Sequence, residues 1–258
     1  MVTFLSDFGA VDPYAGIVHG VILDVAPAAQ VVDLTHQVPP QAVAVGARLL
    51  RSAVEYFPTG TVHLAVVDPG VGGERAPVVV VTKRGVLVGP DNGLLEASAR
   101  ALGLREVRRI TDESVFRKPV SRTFHARDIF GPVAGHLVAG RAPAAFGPVV
   151  DDLVALPDLQ PRVDGDTIAG TVVHVDHFGN LISDIPVREM NGDVSVSIGD
   201  LHLDHIARSY DEATPGTIVA LAGSWGTLEI ACSGGSAAAV LGAGTGLAVT
   251  VRRAERSS

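Results

Sequence analysis

A chain of 258 residues with 47% hydrophobic content can bury a sizeable core, and its length suits one large domain or two ordinary ones; two are expected. The formal charge of −8 and a pI near 5.5 argue against a nucleic-acid backbone or an anionic membrane as the main partner. Cys232 is alone, so an intrachain disulfide and a multi-cysteine metal site are excluded, and no apolar run approaches the length of a membrane span.

The N-terminus from Met1 to Asp7 lacks a basic region and reaches a carboxylate too early for a signal peptide, so a soluble cytoplasmic protein is expected. Val2 to Leu5 reads as a first strand, and Ser6-Asp7-Phe8-Gly9 as the turn that ends it. Asp12-Pro13 has the form of a helix N-cap followed by proline at the first helical position, and Ile17, Val18, Val21, Ile22 and Val25 then make one apolar stripe. A second strand over Val31 to Leu34 is followed by a helical pattern from Ala42 to Tyr56.

Thr61 to Val67 is β-branched and apolar throughout, as in a strand buried on both faces, and it stops at Asp68. Pro69 and Gly70 break the ladder there, and Arg75 can fold back over the turn. Pro77 to Val81 and Gly85 to Val88 are short strands, the second running into Gly89-Pro90-Asp91-Asn92-Gly93, with a helix from Leu94 to Leu102 and a strand from Arg105 to Ile110. Thr123-Phe124-His125-Ala126-Arg127-Asp128 then precedes a helix over Ile129 to Val138, with Asp128 placed to cap it.

Predicted strands in this half therefore finish on Asp7, Asp33, Asp68 and Asp91. Strands alternating with helices imply an α/β domain with a largely parallel sheet flanked by helices, and its carboxyl edge is the expected site. Residues 143–166 hold several prolines and no sustained period, and are expected to connect a first domain, 1–142, to a second, 167–258. Beyond Ile168 the pattern is of short strands with turns, implying a smaller, mainly antiparallel β domain.

Among chemistries, a metal hydrolase finds candidate ligands in Asp7, Asp33, His36, Asp68, Asp91, His125 and Asp128, yet none shows tight ligand spacing, and Arg75 and Arg127 beside them would repel a cation. No Gly-rich phosphate loop lies between a strand and a helix, and no G-x-S-x-G elbow occurs. Asp176-His177-Phe178-Gly179-Asn180 sets an acid, an aromatic and an amide at one strand end, suited to gripping a polar heterocycle. Trp225, the one tryptophan, lies in Ser224-Trp225-Gly226, where an indole can stack on a base or face a cation.

Taken together, Leu5-Ser6-Asp7-Phe8-Gly9 with Asp12 and Tyr14, Asp33-Leu34-Thr35-His36, Val67-Asp68-Pro69-Gly70-Val71-Gly72 with Arg75, Gly89 to Gly93, Thr123 to Asp128, Asp176 to Asn180, and Gly223 to Gly226 with Glu229 resemble the S-adenosyl-L-methionine (SAM) hydroxide adenosyltransferases. These are adenosine-forming SAM hydrolases, related to the SAM-dependent fluorinase and chlorinase. The resemblance implies cleavage of SAM to adenosine and L-methionine, without a cofactor or metal, by a water that attacks the ribose C5′. It places the catalytic roles on Asp68, Arg75 and His125. It also implies substrate contacts by Asp7 to the ribose hydroxyls or methionine amine, Asp176 to the methionine amine, Phe178 and Asn180 to adenine, and Ser224 to the methionine carboxylate, with Trp225 beside it. A homotrimer with sites at subunit interfaces is implied as well. One departure is Ala126, where the family commonly has glycine after the histidine. The rival readings are a halide-using SAM transferase, which a carboxylate at residue 68 disfavours by repelling halide, and a SAM- or adenosine-binding sensor without turnover.

Overall fold

Every residue of Val2–Ser6, the first strand (β1), is buried, because both faces of its sheet are covered. The computed structural model describes residues 1–157, 161–190 and 192–253, and the chain divides into two units after Pro157. In unit 1 the order is β1, α1 (Tyr14–Val25), β2 (Val31–Thr35), α2 (Val43–Ala53), β3 (Thr61–Val66), β4 (Pro77–Thr82), β5 (Gly85–Pro90), α3 (Glu96–Ala101), β6 (Leu104–Arg109), α4 (Gly131–Val138) and β7 (Val149–Val150). The strands lie in the order β2-β1-β3-β5-β4-β6-β7. The first four in that order are parallel, and the β4–β5 hairpin turns the remainder antiparallel.

Alternate residues of each central strand feed opposite layers. Val2 and Phe4 of β1 and Val62, Leu64 and Val66 of β3 pack with Val18 and Ile22 of α1 and Val133 and Leu137 of α4. Leu5 and Ala65 face the other way, onto Ala47 and Leu50 of α2 and Ala99 of α3. The crossover through α1 thus leaves β1 on one face toward β2, and the crossover through α2 returns on the other face to β3. Between β1 and β3 the winding direction reverses, and in open α/β sheets ligands bind outside the carboxyl ends at such a point. The register pairs Ser6 with Val66, so Asp7 and Asp68 both emerge at that crevice, staggered by one residue.

Several local expectations are corrected. Helix α1 begins at Tyr14 behind Pro13 with no side-chain cap, so Asp12 does not cap it. Helix α2 spans Val43–Ala53 and tightens into a 3₁₀ turn at Val54–Tyr56 rather than continuing as α-helix. Asp128 caps nothing: Ala126–Phe130 is a π-helical turn leading into α4, and the buried Asp128 carboxylate accepts from Arg127 Nε at 2.6 Å and the Ser121 amide at 2.8 Å. Part of the expected connection is structured, with a 3₁₀ turn at Pro143–Phe146 and β7 paired to β6. Residues 158–160 of that stretch, and 254–258 of the expected second domain, lie outside the described residues.

Unit 2 contains β8 (Arg162–Asp164), β9 (Thr167–Val175), β10 (Leu181–Pro186), β11 (Val194–Ile198), β12 (Leu201–Leu203), β13 (Ile218–Ala222), β14 (Thr227–Cys232), α5 (Ala237–Leu241) and β15 (Ala248–Arg253). Its strands follow the path β12-β11-β15-β9-β10-β14-β13, with β8 on β9, and each pairing between them is antiparallel. Ile168, Val196, Leu228, Ile230, Val249 and Val251 fill its core, and the lone Cys232 is a buried member of it.

Candidate active site

The chain leaves β3 at Val66, and two residues later Asp68 opens a tight turn in which Val71 N donates to Asp68 O and Gly73 N to Gly70 O. Asn92, just past β5, donates through Nδ2 to Val67 O at 2.9 Å and stitches the turn to the neighbouring strand end. Gly72 has φ of +74°, and a Cβ there would lie 2.1 Å from the Arg122 carbonyl oxygen. Only glycine combines that conformation with that approach. The turn after β3 is thereby seated against the segment that leads to His125.

That seating brings three distant residues together. Arg75 grips Asp68 through Nε at 2.9 and 3.0 Å and through Nη2 at 2.5 Å, with the side chains only 9% and 6% exposed. The same Nη2 reaches His125 Nδ1 at 2.7 Å. Arg75 also lies 5.2 Å over the Phe130 ring, which fills the space behind it. Burial first, and the Arg75 charge second, hold the His125 pKa below its ordinary 6.5.

A cleft of about 260 Å³ opens on this group, lined by Asp7, Phe8, Gln41, Asp68, Thr123, Phe124, His125 and Ala126 among others. Arg75 stands behind Asp68 rather than in the lining. The aromatic wall is ordered by edge contacts of Phe124 with Phe8 at 5.9 Å and with Tyr14 at 5.3 Å. Asp7 accepts from the Gln41 amide at 2.8 Å, which holds Gln41 at φ +66°, the single positive φ among described non-glycine residues. Gln41 is a lining residue that sequence reasoning missed, since glutamine gives no signal for a left-handed position. Ala126 is buried and lines the cleft, so its methyl does limit the space there.

In unit 2 the expected residues form a separate group. Asp176 accepts from the amides of Phe178 at 2.9 Å and Asn180 at 2.8 Å and from Asn180 Nδ2 at 3.0 Å, which folds Asp176 to Asn180 into a tight turn between β9 and β10. Phe178 stands 73% exposed, and Asn180 is buried. Trp225 lies in the β13–β14 turn and stacks on His174, ring centroids 5.2 Å apart and 16° between planes, while Ser224 beside it is exposed. Tyr210, which the sequence did not single out, donates to the buried Glu229 at 2.6 Å. That bond, with burial and the Glu229 charge, pushes the Tyr210 pKa up to about 12. Burial, with Asp176 nearby, raises that of Glu229.

A cleft lined by a carboxylate and a neutral imidazole, with a guanidinium behind both and no serine or cysteine in its lining, is equipped to position and polarise a water. Comparison with known proteins gives the same direction. Residues 2–147 match the model of the SAM hydroxide adenosyltransferase N-terminal domain, and residues 170–250 match that of the C-terminal domain. A protein named (R)-S-adenosyl-L-methionine hydrolase from Salinispora arenicola is 40% identical over 246 residues, 93% of each chain. One of the same name from Thermus thermophilus is 40% identical over 257 residues, covering 96% of this chain and 98% of that one. A fluorinase from an Actinoplanes species is 26% identical over 212 residues, 72% of this chain and 71% of its own. A crystal structure of a conserved protein from Thermotoga maritima superposes with a TM-score of 0.91 at 35% identity, covering 98% of this chain and 100% of that one.

Proposed function

The chain belongs to the SAM hydroxide adenosyltransferase family, and from that membership we propose how its residues divide the work of the reaction. The protein is an S-adenosyl-L-methionine hydrolase that forms adenosine and L-methionine. A water oxygen bonds to ribose C5′, the C5′–S bond breaks, its electron pair stays on sulfur, and methionine departs as a neutral thioether while one proton is released. The sulfonium is already a good leaving group, so the protein needs neither a general acid nor a Lewis acid. Its task is to desolvate and aim one water in line with the breaking bond.

Asp68 is the residue proposed to hold that water and take its proton. The observation that carries this reading is the Asp68–Arg75–His125 group opening on the cleft beside Asp7. Arg75 fixes the carboxylate by a fork of hydrogen bonds, and His125 offers Nε2–H as a second donor to the attacking oxygen. Asp7, which lines the same cleft as Asp68, is proposed to bind the ribose hydroxyls or the methionine amine. Asp176 is proposed for the methionine amine, Phe178 and Asn180 for adenine, and Ser224 with Trp225 for the methionine carboxylate end. The exposed Phe178 supports a stacking role. The assembly proposed is a homotrimer in the cytoplasm. The 97% exposed Val11 and the half-exposed Tyr14, so close to the cleft residues in sequence, support burial against another subunit. Among the described residues no helix is long and apolar enough to cross a membrane.

Incubation with SAM, with and without EDTA and chloride, tests the reading through its products. Adenosine and methionine that persist in EDTA are expected. 5′-Chloroadenosine in chloride would assign the halide reaction instead, and no conversion would leave only binding.

A further inference from the structure

The crossover from β1 through α1 to β2 sets three metal-ligating side chains at one point outside the cleft. His19 on α1, Asp33 on β2 and His36 just beyond β2 bring one ligand atom each within 4.8 Å of one another. Both imidazoles aim the same nitrogen at one oxygen: His19 Nε2 lies 2.7 Å and His36 Nε2 3.0 Å from Asp33 Oδ1. The two contacts are not equivalent. His19 makes a hydrogen bond there, whereas His36 Nε2 is buried and makes none, its approach to Asp33 being close but misaligned for a proton. A buried ring nitrogen without a hydrogen bond, aimed at a carboxylate oxygen and a second imidazole nitrogen, is the arrangement of a ligand lacking its ion rather than of a satisfied hydrogen-bonded pair.

The surroundings fit that reading. Ser6 Oγ lies 2.8 Å from His36 Nδ1, the outer partner that keeps the proton on Nδ1 and leaves Nε2 free to bind. Ser6 Oγ has the spare lone pair to accept it, in addition to the bond it accepts from Phe8 N. Both rings rest against buried Phe4, His36 at 4.7 Å and His19 at 5.9 Å between centroids, so their orientations are set by the core and not by the carboxylate alone. Asp33, with its side chain 42% exposed, leaves a solvent side open for water ligands.

We propose that His19, Asp33 and His36 form a binding site for a divalent cation of the zinc class, separate from the residues that handle SAM. Two imidazoles and one carboxylate with an open position suit Zn²⁺ or a neighbouring first-row ion rather than Ca²⁺ or Mg²⁺, which prefer all-oxygen shells. The ion ties α1, β2 and the end of β1 into one cluster, and its occupancy is independent of turnover.

The test uses untagged full-length protein freed of metal by chelation and then of chelator, titrated with Zn²⁺ by calorimetry and, separately, with Co²⁺ by visible absorption. The expected result is one ion per chain, a Co²⁺ spectrum of low-symmetry nitrogen and oxygen ligation, and a Tm that rises with Zn²⁺. Affinity falls at least tenfold, and the Tm rise vanishes, in both His19→Gln and Asp33→Asn, with unchanged far-UV dichroism showing that the variants fold. No saturable uptake by the wild type overturns the proposal, and so does uptake that the two variants retain unchanged. SAM hydrolysis can succeed or fail without bearing on either result.

Discussion

Arg75 donates through Nη2 to Nδ1 of His125 at 2.7 Å, and a guanidinium has no acceptor to offer in return, so the imidazole is neutral with its proton on Nε2. Burial and the Arg75 charge favour that neutral form by lowering the pKa from 6.5. The activity that needs neutral His125 is therefore retained as pH falls through 6.5 and lost only below it. Imidazole NMR should place the His125 midpoint under 6.5 and move it upward in Arg75→Gln, since removing a positive neighbour eases protonation. A midpoint unmoved by that variant would separate His125 from Arg75.

Asp68→Asn keeps the size of the side chain and removes the charge that readies the water. Binding of SAM should be largely kept and kcat should fall about a hundredfold or more, the range expected for a positioned base. Calorimetry for binding and product chromatography for rate check the two halves. Unchanged hydrolysis would remove Asp68 from the mechanism.

His63 lies on β3 with 2% exposure, hydrogen-bonded to Thr3, and burial, then the Arg84 charge, lowers its pKa from 6.5 to about 4. The unfolded chain takes up a proton at higher pH than the folded one, so stability is full above 6.5 and is lost as pH falls from there toward 4. The loss is on the order of 3 kcal/mol. Urea midpoints at pH 7 and pH 4 should show it, and His63→Gln should reduce the difference.

Tyr210→Phe removes the donor to Glu229 and leaves a buried carboxyl beside Asp176 without its partner. Unfolding should become easier by about 1–3 kcal/mol, the cost of an unsatisfied buried group. The Glu229 pKa, already raised by burial, should rise further, because the Tyr210 hydrogen bond that lowers it is gone. Chemical denaturation at neutral pH measures the first, and carboxyl NMR the second.

How far the sequence could be read depends on how local the cause is. Thr61 to Val67 announces a strand buried on both sides because every residue obeys that environment, and Asp68-Pro69-Gly70 announces its end. The meeting of Arg75 with His125 is not written locally, since it depends on Gly72 resting on Arg122; the family likeness supplied it. Asp128 reads as a cap because an acidic residue before an apolar run is the usual sign of a helix start, and a single π turn leaves no distinct mark in a sequence. β8 and β12 escaped notice because three residues cannot show a period. His19 gave no sign of its partners, for only the α1 crossover carries it to Asp33 and His36.

The pairing of Ser6 with Val66 makes the β1–β3 ladder a ruler for the chemistry. Lengthening either crossover loop would leave the one-residue stagger of Asp7 and Asp68 unchanged. Sliding one strand by a single rung would change that stagger and turn Phe4 and Leu5 toward the wrong layers. Spacing at the reacting centre is therefore guarded by the same packing that keeps the sheet in register, and a variant that loosens Phe4 or Leu64 should lose catalysis before it loses its fold.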